Sequence, residues 1–164
     1  MVIMLLETIE WKISNTPIDY DFAISEMQKR VTNIKANTNK ELVWLLEHES
    51  IFTAGTSARD EDLINNQVKT RHTGRGGQWT WHGPGQRVAY VMLNLKKRLP
   101  DIKAYVNALE EWIILTLKDF NIIGVRLENK PGVWVSNKNK SYDKIAALGV
   151  RISSWVSWHG ISIN

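Results

Sequence analysis

Between Gly74 and Gln86 the chain reads Gly-Arg-Gly-Gly-Gln-Trp-Thr-Trp-His-Gly-Pro-Gly-Gln, five glycines, a proline, an arginine and a histidine around a short aromatic segment. Glycines let a ligand approach main-chain N–H groups, so this composition suits surrounding a ligand better than filling a core. A glycine-rich hairpin with tight turns is the alternative. Gly74-Arg75-Gly76-Gly77 lacks the lysine and hydroxyl residue of a Walker loop and precedes a strand-like segment, which disfavours a nucleoside triphosphate site. Lys144 opens an otherwise apolar run, Lys-Ile-Ala-Ala-Leu-Gly-Val. An amine partly desolvated at a strand mouth falls below its ordinary pKa of about 10.4 and can serve as a base or an electrostatic partner. A snorkelling strand-end lysine competes with that reading. Gly149, in the same run, marks a close backbone or ligand approach. Of the four histidines no two stand at the i, i+4 spacing of helical metal ligands, and no metal site is expected. His82 and His159 each precede a glycine at a strand end, where each can point into a cleft or serve structure alone.

The elements that must position these groups follow from periodicity. Met1 to Thr8 is an apolar run too short to span a membrane and without a cleavage site, and is expected to be a first strand in a cytoplasmic protein. Tyr20, Ile24, Met27, Val31 and Ile34 recur at helical steps after Pro17 and predict a helix ending near Asn37. Lys40 to His48 predicts a strand covered on both faces. Glu49 to Asn66 predicts a surface loop with a short helical turn, and Gly74 to Gln86 a loop, a short strand over Trp79 to His82, and a second loop. Arg87 to Leu95 predicts a long strand. Ile102, Tyr105, Val106, Leu109, Ile113, Leu117 and Phe120 predict a second amphipathic helix, with Gly124 as its stop. A hairpin over Val125 to Leu127 and Val133 to Ser136 should follow, then strands over Lys144 to Ile152 and Trp155 to Ile163 joined through Ser153-Ser154. Together these predict one α/β (α+β) domain over residues 1–164, with a mixed, mostly antiparallel sheet and helices packed against it.

Composition narrows the chemistry further. A hydrophobic content of 43% and a charged content of 23% are those of an ordinary globular domain. With no cysteine, the chain offers no disulfide, thiolate metal site or thiol nucleophile of its own. The net charge of +4 is scattered over loops and helix flanks, which argues against nucleic acid and fits an acidic protein partner better. Most of the eight tryptophans are expected in the core or in pocket walls.

Four stretches together resemble the octanoyltransferases of protein lipoylation, also called lipoyl(octanoyl) transferases. They are Leu46-Glu47-His48 with Thr53-Ala54-Gly55; Arg75 to Gln86; Gly132-Val-Trp-Val135; and Lys144 to Arg151 with His159-Gly-Ile-Ser-Ile-Asn164. The resemblance implies the biotin/lipoate protein ligase fold and transfer of an octanoyl group from octanoyl-acyl carrier protein to a lysine of a lipoyl domain, in the cytoplasm and without a cofactor. The implied acceptors are the lipoyl domains of 2-oxoacid dehydrogenase complexes and the glycine cleavage H protein, with no part for nucleic acid or membrane. In the family a cysteine first takes the acyl group as a thioester, and the lysine matching Lys144 lowers that cysteine's pKa and acts as acid and base. Arg75, Gly76, Gly77, Gln78, Trp79, Thr80, Trp81 and His82, with Ala147, Leu148, Gly149, Gly160, Ile161 and Ser162, match the lining of the acyl pocket; His159 is a further site residue. The family's nucleophile lies in a Pro-Cys-Gly segment shortly after the His-Gly strand, beyond Asn164, so a chain cut short before its nucleophile is expected. Trp79, Trp81 and Ser162 also depart from the commoner residues. A non-catalytic acyl- or carrier-binding module and an ATP-using lipoate ligase relative are the competing readings.

Overall fold

Two capped amphipathic helices flank the principal sheet of this computed structural model, which describes residues 9–65 and 67–164. The expected strand over Met1 to Thr8 lies outside the described residues, as does Asn66. Helix α1 (Tyr20–Lys35) starts where the Asp19 carboxylate accepts the Phe22 N–H at 2.9 Å, and buries Tyr20, Ala23, Met27, Val31 and Ile34. Helix α2 (Ile102–Asp119) is capped in the same way by Asp101 on Ala104, and buries Tyr105, Leu109, Ile113, Leu117 and one acid, Glu110. Neither is long and apolar enough to cross a membrane.

The strands are β1 (Glu10–Ile13), β2 (Leu42–Leu46), β3 (Ile51–Ala54), β4 (Thr70–His72), β5 (Trp79–His82), β6 (Arg87–Met92), β7 (Gly124–Leu127), β8 (Lys130–Ser136), β9 (Tyr142–Ser153) and β10 (Val156–Ile163). A seven-stranded sheet runs β1-β2-β6-β10-β9-β8-β7, antiparallel except between β1 and β2. A three-stranded sheet runs β4-β3-β5. Alternation in the central strands sorts side chains between two cores. Leu42, Trp44 and Leu46 join Val88, Tyr90 and Met92 against α1, while Val43, Ala89 and Val91 join Ile161 and Ala146 against α2. The mixed, mostly antiparallel sheet with flanking helices is therefore as expected.

Four local readings are corrected. Glu49 to Asn66 has the expected short helical turn, a 3-10 turn over Asp60–Asp62, but β3 also lies within it. β1 and β4 were not foreseen, being short outer strands with exposed side chains, β4 without an apolar residue and β1 with only Trp11 and Ile13. Gly124 opens β7 instead of ending α2; Asn121, at φ 60°, is the left-handed residue beyond that helix. The β9–β10 turn centres on Ser154-Trp155, at φ 52° and 64°, a positive pair of the kind a two-residue hairpin needs.

Candidate functional site

A cleft of about 480 Å³ opens between the two sheets beside the start of α1. Its floor lies on β9 and β10, where Gly149 pairs with Gly160 and Ala147 with Ser162. Four small residues on one face leave a trough in an otherwise close-packed sheet. No larger residue fits at Gly160, where a Cβ would lie 2.1 Å from the Ala89 carbonyl oxygen.

The glycine-rich stretch forms a wall, and Arg75 shapes it. This buried guanidinium donates through Nη2 to the Thr53 carbonyl (2.7 Å), Thr53 Oγ1 (2.8 Å) and the Gln78 carbonyl (3.0 Å), and through Nη1 to the Gly76 carbonyl (2.9 Å). Arg75 thus ties β3 to the loop before β5, its positive charge balanced by peptide dipoles and, among the described residues, by no carboxylate. Gly77, Gln78, Trp79, Thr80 and His82 line the cleft with it. Gly76 contributes its backbone, donating to the Val150 carbonyl at 3.1 Å. Trp81 is not in the lining: its indole N–H reaches Ser50 Oγ at 3.0 Å and it is 37% exposed, which takes it out of the pocket the resemblance gave it.

His82 and His159 both enter the cleft. His82 Nδ1–H donates to Gln86 Oε1 at 2.6 Å, Gln86 being oriented by its own donation to Asn164 Oδ1 at 2.7 Å. This leaves His82 Nε2 as the unprotonated nitrogen, without a partner among the described residues. Burial holds the His82 pKa down at about 4, against the Gln86 hydrogen bond and with help from His48 and Arg75. Burial, then Arg75, Arg151 and His82, depress His159 to about 3. The His159 backbone is left-handed at φ 58°, and its ring lies 4.9 Å from Trp158 and 6.1 Å from Tyr90. In a regular strand His159 would point opposite to Trp158; the positive φ brings both to the α1 side.

Lys144 reaches the cleft through a β-bulge. Val133 pairs with Ala146 but Trp134 with Lys144, so Ile145 is an extra residue on β9. Without it Lys144 would share the α2 face with Ala146; with it, parity shifts and the amine lies at the cleft mouth. Nζ sits 5.1 Å from the Trp134 ring centroid, and burial lowers its pKa below the ordinary lysine value. Among the described residues, no acidic side chain lines the cleft.

Ala147, Leu148, Gly149, Gly160, Ile161 and Ser162 all line it as well. Tyr20, Ser57, Val88, Tyr90 and Pro131 line it too and were missed. Tyr20 and Tyr90 counted as apolar positions in a helix and a strand. Their hydroxyls were the available signal, since a buried hydroxyl needs a partner. Tyr90 Oη donates to His48 Nε2 at 2.6 Å while His48 Nδ1–H donates to the Ile18 carbonyl at 2.7 Å, and the Tyr20 ring stacks on His82 at 6.1 Å.

Residues 19–164 match the lipoyl protein ligase A/B catalytic domain. The chain belongs to this family. It stands with the octanoyltransferases within it, being 54% identical over 161 residues to that of Bradyrhizobium diazoefficiens, covering 96% of this chain and 65% of the relative. Against the Parvibaculum lavamentivorans octanoyltransferase it is 52% identical over 163 residues, covering 97% and 72%. The chain thus spans about two thirds of the length of such relatives. The family fold is seen in a bipartite lipoate protein ligase from Thermoplasma acidophilum (TM-score 0.66, 12% identity, 95% of this chain and 62% of that one). A lipoate-protein ligase A bound with ATP gives a TM-score of 0.61 at 12% identity, covering 94% and 66%. The sheet and helices described above are those of the biotin/lipoate ligase fold.

Proposed function

We propose that the cleft holds the octanoyl chain in an octanoyl transfer from octanoyl-acyl carrier protein to a lysine of a lipoyl domain, with Lys144 handling the proton at its mouth. The observation that carries this reading is the trough of Ala147, Gly149, Gly160 and Ser162 ending at an amine, with no carboxylate in the lining among the described residues. An apolar tail in the trough gains about 0.8 kcal/mol per methylene, roughly 5 kcal/mol for an eight-carbon chain. That places the thioester carbonyl beside Lys144. A neutral amine there accepts the proton of an attacking nucleophile, and the ammonium then returns it to the leaving thiolate as the carbon–sulfur bond breaks. His82 Nε2, kept unprotonated by burial, is a second acceptor on the wall.

In the two-step route a thiol carries the acyl group between carrier and acceptor, and none of these 164 residues is cysteine. The part proposed for these residues is therefore substrate holding and proton transfer. Titration of octanoyl-acyl carrier protein into this chain should give saturable binding, weaker for the carrier without its acyl group, and incubation should give no hydroxylamine-sensitive acyl adduct. Equal affinity for acylated and unacylated carrier would refute the acyl site; a hydroxylamine-sensitive adduct would refute the assigned role of this chain.

A further inference from the structure

Glu110 is an acid on the core face of α2, between Leu109 and Ile113, where an unsatisfied carboxylate would be costly. Both oxygens are engaged: Oε2 accepts Arg126 Nε–H at 3.0 Å and Oε1 accepts the Gly132 N–H at 3.1 Å. Arg126 also pairs with the more exposed Glu111 at 2.8 Å, so Glu110 is not needed merely to neutralise it. The Gly132 contact is what Glu110 alone supplies. Strand β8 is out of register on both sides here, by a shift at Val125/Leu127 toward β7 and by the Ile145 bulge toward β9. Gly132 sits between these irregularities at φ 112°, and a Cβ on it would lie 3.0 Å from Lys144 Cε and 3.4 Å from Nζ. Two residues on, the Trp134 ring faces the same ammonium within cation–π range, and also carries Lys130 at 5.6 Å.

We propose that Glu110 is a positioning residue for Lys144: by holding the Gly132 N–H from the far side of the sheet, it fixes the side-chain-free gap and the Trp134 face between which the amine lies. The inference rests on reading Lys144 as the functional amine of the cleft. It explains why a buried acid stands on the apolar face of α2, and it makes the amine's place depend on a residue that touches no substrate.

The test reads the position of Lys144 without substrate or carrier. In the 164-residue chain reductively methylated with 13C-formaldehyde, the dimethyl signal of Lys144, assigned by its loss in Lys144→Arg, should be shifted upfield by the Trp134 ring and lose that shift in Trp134→Leu. Glu110→Ala should lose it too, while Glu110→Gln, whose amide oxygen still accepts the Gly132 N–H, should keep most of it. Glu41→Ala removes a comparably buried carboxylate, bonded to Arg98 and the Asn94 N–H elsewhere, and should leave the signal in place. Should Glu110→Ala not fold, Glu110→Asp, one methylene too short to reach Gly132, decides in its stead. An unchanged Lys144 signal in the Ala or Asp variant, or equal loss in Glu41→Ala, would overturn the inference. A failure of octanoyl binding would count against the proposed function and leave this result standing.

Discussion

His82 and His159 are the residues whose chemistry their surroundings change most, and the change has a sign. Both are depressed, to about 4 and about 3, from an ordinary value of 6.5. As pH falls below 6.5 the unfolded chain binds protons that the folded histidines refuse, so stability is fully present above 6.5 and declines toward those lower values. For His82 the loss is on the order of 3 kcal/mol. Denaturant unfolding followed from pH 7 to pH 4 should show this decline, and His82→Asn should reduce it by roughly half, the His159 share remaining. The sequence revealed the two His-Gly pairs as candidates but not their state, because the main cause is burial between strands distant in sequence, with the Arg75 charge adding to it. Arg75, which the resemblance puts in the pocket lining, bonds to the protein through both its terminal nitrogens. Arg75→Met should therefore cost stability as well as binding, by about 1–3 kcal/mol, as expected for bonded groups left without a partner.

Among elements, β9 carries most of the site. Its bulge at Ile145 turns Lys144 into the cleft, and its Gly149, across from Gly160, opens the trough. A Cβ at Gly149 would lie 3.0 Å from Arg75 Cδ and 3.1 Å from the Gly76 carbonyl oxygen, so Gly149→Val should displace the wall and lower octanoyl-carrier affinity at least tenfold, about 1.4 kcal/mol. Asp101→Ala, which removes the cap of α2 far from the trough, should cost about 1 kcal/mol of stability and leave that affinity unchanged. Both helices were legible from their helical apolar spacing, and the inner strands β2, β6, β9 and β10 from their mainly apolar runs. The short outer strands β1 and β4 were not, because three or four exposed residues are too few to establish a period: β4 has no apolar residue and β1 only Trp11 and Ile13. The bulge was invisible for a similar reason: Lys-Ile-Ala-Ala reads the same in either register, and only pairing with β8 decides which face the lysine takes.

At the scale of the molecule, the site is the seam between a large sheet and a small one. The trough belongs to the former, the glycine-rich wall to the latter, and Arg75 joins β3 to that wall while the Gly76 N–H ties it to Val150 on β9. No single stretch of sequence contains this seam. The sequence motifs marked its parts, and the resemblance of four separated stretches grouped them before any contact was visible. The central claim is that an octanoyl chain lies in the trough with its carbonyl end at Lys144. The direct measurement is isotope-filtered NOE spectroscopy of the chain with 13C-labelled octanoyl-acyl carrier protein. Contacts from the tail to Ala147, Ser162 and His82, lost in Gly149→Val, are the expected result; a saturated complex whose octanoyl signals contact none of these residues would contradict it.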